Sequence, residues 1–184
     1  MSALAHSSGD FAAALILDNM PTRFEDINWT HWTPQERATL LFVRQADRVL
    51  LIRKKRGLGA GKINGPGGRL DDGESPLHCA IREVQEELCI TPTGVEPRGE
   101  LAFQFVDGYA LFVYVFSATG CEGELQETDE AAPLWAAIDA VPFDQMWADD
   151  EIWFPHLLSG RPFRGYFLFD GDMMLGYEVI LTGE

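Results

Sequence analysis

Basic residues are scarce in this 184-residue chain, with 14 Lys and Arg against 29 Asp and Glu and a formal charge of -15. Proteins hold a nucleic-acid backbone mainly through cations that displace its counterions, so a polymeric nucleic acid is excluded as the expected partner. Cysteine is also sparse. Cys79, Cys89 and Cys121 are odd in number and show neither Cys-x-x-Cys spacing nor a His–Cys cluster, which argues against a disulfide framework and for free thiols in a reducing compartment. Long apolar runs are missing too. Phe11 to Leu17 is too short for a membrane span, and no Lys or Arg precedes Arg23 to flank a leader. The expectation is a cytoplasmic protein with no membrane partner. Internal repeats and low-complexity stretches are absent as well.

What is present suits one domain with its own core: 46% hydrophobic residues, 11% aromatic and 23% charged. The excess of carboxylates fits a protein that meets a phosphate-bearing small molecule through divalent cations, because the cation reverses the local sign of the field. Residues 1–36 read as an N-terminal extension packed on a domain at 37–184. The extension holds a short possible helix after Asp10 and the aromatics Phe24, Trp29 and Trp32. From Thr39 the chain changes to short apolar runs with turn punctuation: a hairpin of Thr39–Val43 and Val49–Ile52, and strands at Leu101–Val106, Tyr109–Phe116 and Leu134–Ile138. A closing hairpin, Phe163–Phe169 and Met173–Leu181, surrounds Asp170-Gly171-Asp172. A second helix starts at Asp149 or Asp150 and stops before Gly160. Consecutive strands that pair as hairpins predict a mixed sheet with helices on its faces.

The first helix has the clearest start. Ser75 is a good N-cap and Pro76 the residue best tolerated at the first helical position. Leu77, Ile81, Val84 and Leu88 predict one apolar stripe, while Glu83, Glu86 and Glu87 fall together elsewhere on the surface. An acidic cluster on an exposed helix is usually just a solvated face. Here the glycine-dominated loop Gly57–Gly73 precedes it, and such a loop lets backbone groups approach a metal and phosphates closely. Clustered carboxylates repel unless a cation joins them, and hard oxygen ligands suit Mg²⁺ or Mn²⁺.

Gly68, five residues, Glu74, seven residues and then Arg82-Glu83-Val84-Gln85-Glu86-Glu87-Leu88-Cys89-Ile90 resembles the box of the Nudix hydrolase family, with Cys89 at the one departing position where the family has Gly. The resemblance implies an α/β fold, the α-β-α sandwich with a mixed central sheet. It also implies that Glu83, Glu86, Glu87, the Gly67 carbonyl and Glu130 hold Mg²⁺ (Mn²⁺ as an alternative). Arg82 then orients the glutamates, and Glu83 or another neighbour of the activated water serves as base. A residue at position 89 that keeps the family's backbone path takes a positive φ.

Lys54 to Gly65 before the box and Met146 to Pro155 after it are similar to the branch of the family that hydrolyses 8-oxo-dGTP and related oxidised purine nucleotides. The similarity covers roughly Thr39 to Leu181. It implies that Asn64, Asp149 and Asp150 read the base edge, that Trp147 stacks on the purine, that Phe103 walls the pocket, and that Thr39 and Lys54 line the nucleotide site. Taken alone, Trp147 and its Asp pair read better as a core Trp beside a helix N-cap, and the match on both sides of the box reverses that preference. Leu58, Ile63 and Pro66 replace aromatics of that branch, which predicts a less aromatic pocket wall. The reaction implied is hydrolysis to the monophosphate and pyrophosphate. Other nucleoside diphosphate derivatives such as ADP-ribose are the alternative substrates, and a non-catalytic nucleotide-binding module is the alternative of a different class. His6, His31, His78 and His156 show no ligand spacing, and the cysteines have no base to support thiolate catalysis.

Overall fold

The computed structural model describes residues 20–183, so the helix expected after Asp10 lies outside the described residues. The elements in chain order are β1 (Glu36–Gln45), β2 (Arg48–Lys54), β3 (Ile63–Asn64), α1 (Pro76–Leu88), β4 (Ile90–Thr93), β5 (Glu96–Phe105), β6 (Ala110–Ala118), β7 (Gly120–Gly123), β8 (Ala131–Ala137), α2 (Asp150–Leu158), β9 (Phe163–Asp170) and β10 (Met173–Leu181). Eight strands form one sheet in the order β10-β9-β5-β6-β1-β2-β3, with β8 added along β2. The β1–β6 and β5–β9 pairs are parallel and the others antiparallel. This is the mixed sheet that the hairpin punctuation predicts. Among the described residues, no helix is long and apolar enough to cross a membrane.

Strand alternation divides the core between the two faces. Leu41, Val43, Leu50 and Ile52 meet Ala80, Val84 and Leu88 of α1 on one face. On the other, Phe42, Val49 and Leu51 meet Trp153, Phe154 and Leu157 of α2. Burial on both faces explains why β1 and β2 read as near-continuous apolar runs. The observed layering is the expected α-β-α sandwich.

The helix α1 departs from its predicted stripe. Leu77 is 46% exposed, whereas Cys79, Ala80, Val84, Glu87 and Leu88 are buried. Its inner face is set by the sheet and by the glycine loop that cover it, so a small Ala and a carboxylate lie inside while a Leu in the first turn does not. The helix ends as the family path requires: Cys89 has φ 60° and ψ 23° and donates its N–H to the Gln85 carbonyl. Pattern reading did not find the two-stranded ribbon of β4 and β7, because a four-residue strand holding Pro92 and another bounded by Gly120 and Gly123 carry no measurable alternation.

The site owes its place to a gap in the sheet. β1 pairs with β2 only at Arg44 and Gln45, and towards its start the loop after β3 takes over. Leu41 N donates to Pro66 O at 2.9 Å and Thr39 N to Gly68 O at 2.8 Å, while Leu70 N reaches Arg37 O at 3.0 Å. Buried backbone donors must find acceptors, and here the acceptors belong to the loop that leads into α1. On the same face as α1, farther along the sheet, the described N-terminal segment covers β9 and β10. Trp29 packs against Phe24, Trp32 and Tyr166 with centroids 5.1–5.8 Å apart.

Candidate active site

Two glycines explain how the loop and the helix come so close. At Gly67, where φ is 155°, a Cβ would stand 2.0 Å from the Thr39 carbonyl oxygen, and at Gly68 it would stand 2.4 Å from the Glu83 carboxylate. With both side chains absent, Gly67 N–H donates to Glu87 Oε2 at 2.9 Å. The N-cap is as expected, since Ser75 Oγ accepts from His78 N.

Arg82 organises the acids. Its Nε and Nη2 grip Glu74 at 2.9 and 2.8 Å, and its Nη1 reaches Glu83 at 2.8 Å and Glu86 at 3.1 Å. The forked geometry is one that Arg supplies and Lys cannot. Hydrogen bonding to Arg82 brings the Glu74 carboxyl down to about 2. Glu83 and Glu87 move the other way. Burial raises both and lifts Glu87 to about 7, against the Gly67 N–H and the charge of Lys54, and with added repulsion from Glu83 and Glu130. The expected acidic surface patch is therefore divided: Glu87 is 2% exposed, Glu83 faces the cavity, and Glu86 stays at the surface on Arg82.

That cavity, of about 600 Å³, joins the acids to an aromatic chamber and brings Thr39, Lys54, Asn64, Gly67, Phe103, Glu130, Trp147, Asp149 and Asp150 together along one wall or another. Glu130 is paired with Arg56. Asn64 is engaged through Oδ1, which accepts from Gly65 N at 2.8 Å. At the far end Asp149 and Asp150 are 3% and 2% exposed. Asp149 is not the side-chain cap that its position before α2 suggests. Its Oδ2 accepts from Trp153 Nε1 at 2.8 Å, and Asp150 Oδ2 accepts from Trp147 N at 3.0 Å. Burial raises both carboxyls and mutual repulsion raises Asp150 further, and adjacent carboxyls that share a proton can donate a hydrogen bond from one member where the other accepts.

The wall holds aromatics besides the expected Phe103 and Trp147. Phe105, Tyr109, Trp153 and Phe169 line it beside Phe103 and Trp147, and Phe169 meets Trp147 edge-on at 5.8 Å. The alternation Leu101, Phe103, Phe105 along β5 was a signal for Phe105. No local pattern marks Phe169 or Tyr109, which arrive from β9 and from the β5–β6 turn. Lys62 lies 4.8 Å from the centroid of the Trp147 ring and 3.0 Å from Asp172, tying the glycine loop to the closing hairpin. Cys79 is buried, and that burial raises its thiol to about 11.

Among the described residues no three His, Cys, Asp or Glu side chains stand grouped as a metal site, since Arg82 holds Glu83 and Glu86 and Arg56 holds Glu130. The donor set still fits a hard divalent cation. Its atoms are oxygens only, and Glu87 is a buried carboxyl whose nearest charged neighbours include two further acids, a balance that a divalent ion corrects.

Residues 34–157 match the NUDIX domain family. Over 143 residues, 77% of this chain, the sequence is 47% identical to the oxidized purine nucleoside triphosphate hydrolase of Danio rerio and 41% identical to that of Mus musculus, covering 92% of each relative. Among solved structures, a MutT protein from Bacillus halodurans is 32% identical with a TM-score of 0.71, covering 78% of this chain and 97% of its own.

Proposed function

Since this chain belongs to the Nudix hydrolase family, and is therefore a divalent-metal-dependent hydrolase of nucleotide derivatives, we propose that it cleaves oxidised purine nucleoside triphosphates of the 8-oxo-dGTP type to the monophosphate and pyrophosphate, using Mg²⁺. The observation that carries this reading is one cavity with the Arg82-organised acids at one end and the buried Asp149–Asp150 pair beside Trp147 at the other. A flat purine matches an indole face, and a base carrying both donors and acceptors on its edge matches a carboxyl pair of which one member is neutral. Asn64 adds an amide to that edge, Phe103 supplies wall, and Thr39 and Lys54 line the passage towards the phosphates.

Glu83, Glu86, Glu87, Glu130 and the Gly67 carbonyl are the groups that would hold the metal. Bound there, the ion supplies charge neutralisation of the diphosphate and acidification of water. The chain does the rest. Arg82 fixes the direction of Glu83, which orients the attacking water and takes its proton. The Gly67 N–H keeps Glu87 pointed at the loop. The aromatic chamber excludes water from the base and thereby fixes which bond lies over the acids. In this reading residues 37–184 form the catalytic domain.

A panel of 8-oxo-dGTP, dGTP, dATP and ADP-ribose with Mg²⁺, read for pyrophosphate against phosphate, tests the reading. Pyrophosphate release that is fastest with the oxidised purine supports it. Cleavage of ADP-ribose alone replaces the substrate, and nucleotide binding without any cleavage replaces the hydrolase.

A further inference from the structure

Residues 20–33 precede the stretch that matches the family, yet they reach the back of the cavity wall. Along β5, Phe103 and Phe105 line the cavity, so Gln104 between them points to the opposite face, where it is 8% exposed. There Trp32 Nε1 donates to Gln104 Oε1 at 2.9 Å. The amide end of the same side chain donates to the carbonyls of Phe105 at 2.9 Å and Tyr109 at 3.2 Å. Gln35 closes on the same turn, donating from its backbone N to Ala110 O and from Nε2 to Gly108 O, each at 2.9 Å. Gly108 itself has φ 94°, and a Cβ there would lie 2.6 Å from Met20 Cε.

The turn gripped in this way presents two cavity residues. Phe105 stands 5.7 Å from Phe169 and 5.5 Å from Tyr109. The Tyr109 hydroxyl donates to Glu36 and accepts from Arg69 Nη2 at 3.4 Å, and Arg69 follows the Gly67-Gly68 pair. The aromatic wall is thus joined to the catalytic loop through the tip of a hairpin, the kind of segment that opens locally unless something holds it.

We infer that the segment 20–35 is a positioning element for nucleotide binding: Trp32 and Gln35 hold the Phe105–Tyr109 turn in the shape that completes the base-side wall, and so set affinity and base discrimination without touching the nucleotide. This rests on the proposal that the cavity is the nucleotide site. The tests are Trp32→Phe, which removes the indole N–H along with part of the ring system, and Gln35→Ala, with Trp29→Phe as a control that loses the same ring atoms. Trp29 packs on Trp32, but its Nε1 is buried without a hydrogen-bond partner among the described residues, so the control loses ring volume without losing a hydrogen bond to the turn.

Two measurements on the full chain decide the matter: KM and kcat for 8-oxo-dGTP and dGTP with Mg²⁺, and amide exchange over 105–110 in nucleotide-free protein. The expected result for both test variants is KM for 8-oxo-dGTP raised at least fivefold, kcat within twofold, a changed preference between the two nucleotides, and faster exchange at 105–110. The control keeps all four values. Unchanged KM and exchange in both test variants overturn the inference, as does a loss of kcat at constant KM. A wild type that cleaves no purine nucleotide sinks the proposed function, and the exchange data then decide separately whether the segment holds the turn.

Discussion

Replacing Cys89 by Gly should stabilise this protein by about 0.5–1 kcal/mol and leave turnover unchanged. Cys89 occupies the left-handed region at φ 60° and ψ 23°, where a side chain costs roughly 1–2 kcal/mol because its Cβ crowds the following carbonyl. Gly relieves that strain. It also enlarges the unfolded ensemble, which returns roughly 0.5–1 kcal/mol of the gain. Nothing else offsets the balance, since Cys89 is exposed and its N–H bond to Gln85 O at 3.0 Å is a backbone bond that Gly keeps. For a chain of this size the net effect amounts to a thermal midpoint higher by about 1–4 °C. In urea, with a slope of about 2 kcal/mol/M, it is a midpoint higher by about 0.2–0.5 M. Tryptophan fluorescence in urea, run beside steady-state kcat, measures both quantities. A midpoint that falls would refute the reasoning, because it would mean that the Cys89 side chain contributes packing that outweighs its backbone strain.

Glu87→Gln keeps shape while removing charge, so it should lower kcat at least tenfold, a loss of about 1.4 kcal/mol or more in the transition state, and activity within about threefold of wild type at saturating Mg²⁺ removes Glu87 from the metal site. Glu87 also sets a pH dependence: the unfolded chain releases this proton near 4.5 and the folded one near 7, so between those values the folded state binds more protons and metal-free stability falls as pH rises. The stability gap between wild type and Glu87→Gln in EDTA should drift across that window and flatten with Mg²⁺; a constant gap contradicts the raised value. Gly68→Ala should spare the thermal midpoint but cut kcat at least tenfold, because the new Cβ meets the movable Glu83 carboxylate at 2.4 Å, whereas Gly67→Ala should destabilise the fold, because its Cβ meets the Thr39 backbone at 2.0 Å; calorimetry and kinetics that fail to separate the two variants count against this geometry. Trp147→Ala should weaken purine triphosphates by roughly 1–3 kcal/mol, the scale of one base–aromatic stack. Asp149→Asn, which can still accept from Trp153, should change the ratio of 8-oxo-dGTP to dGTP hydrolysis, and unchanged ratios in both variants place the base elsewhere.

Local chemistry determined a good deal of this protein before any tertiary contact is considered. The Ser75-Pro76 start of α1, the apolar runs of β1 and β2 and the alternation along β5 follow from backbone preferences and periods that neighbouring residues impose on one another, while the left-handed end of α1 at Cys89 was implied by the family resemblance. The family and the reaction class were legible from the resemblance of one short motif, since Gly68, Glu74, Arg82, Glu83, Glu86 and Glu87 stand close together in the chain at the family's spacing. Tertiary structure decided the rest. Glu87 became a buried, raised carboxyl and not a surface acid because the Gly67 backbone closes over it, and Asp149 became a partner of Trp153 and not a helix cap because α2 turns it into the core. Phe105, Tyr109 and Phe169 joined the aromatic wall from separate parts of the chain, and the extension gained its hold on that wall through Trp32 and Gln104, 72 residues apart. Such pairings depend on which strand faces meet and on where the sheet parts between β1 and β2, and a periodicity read over a dozen residues holds no information about either.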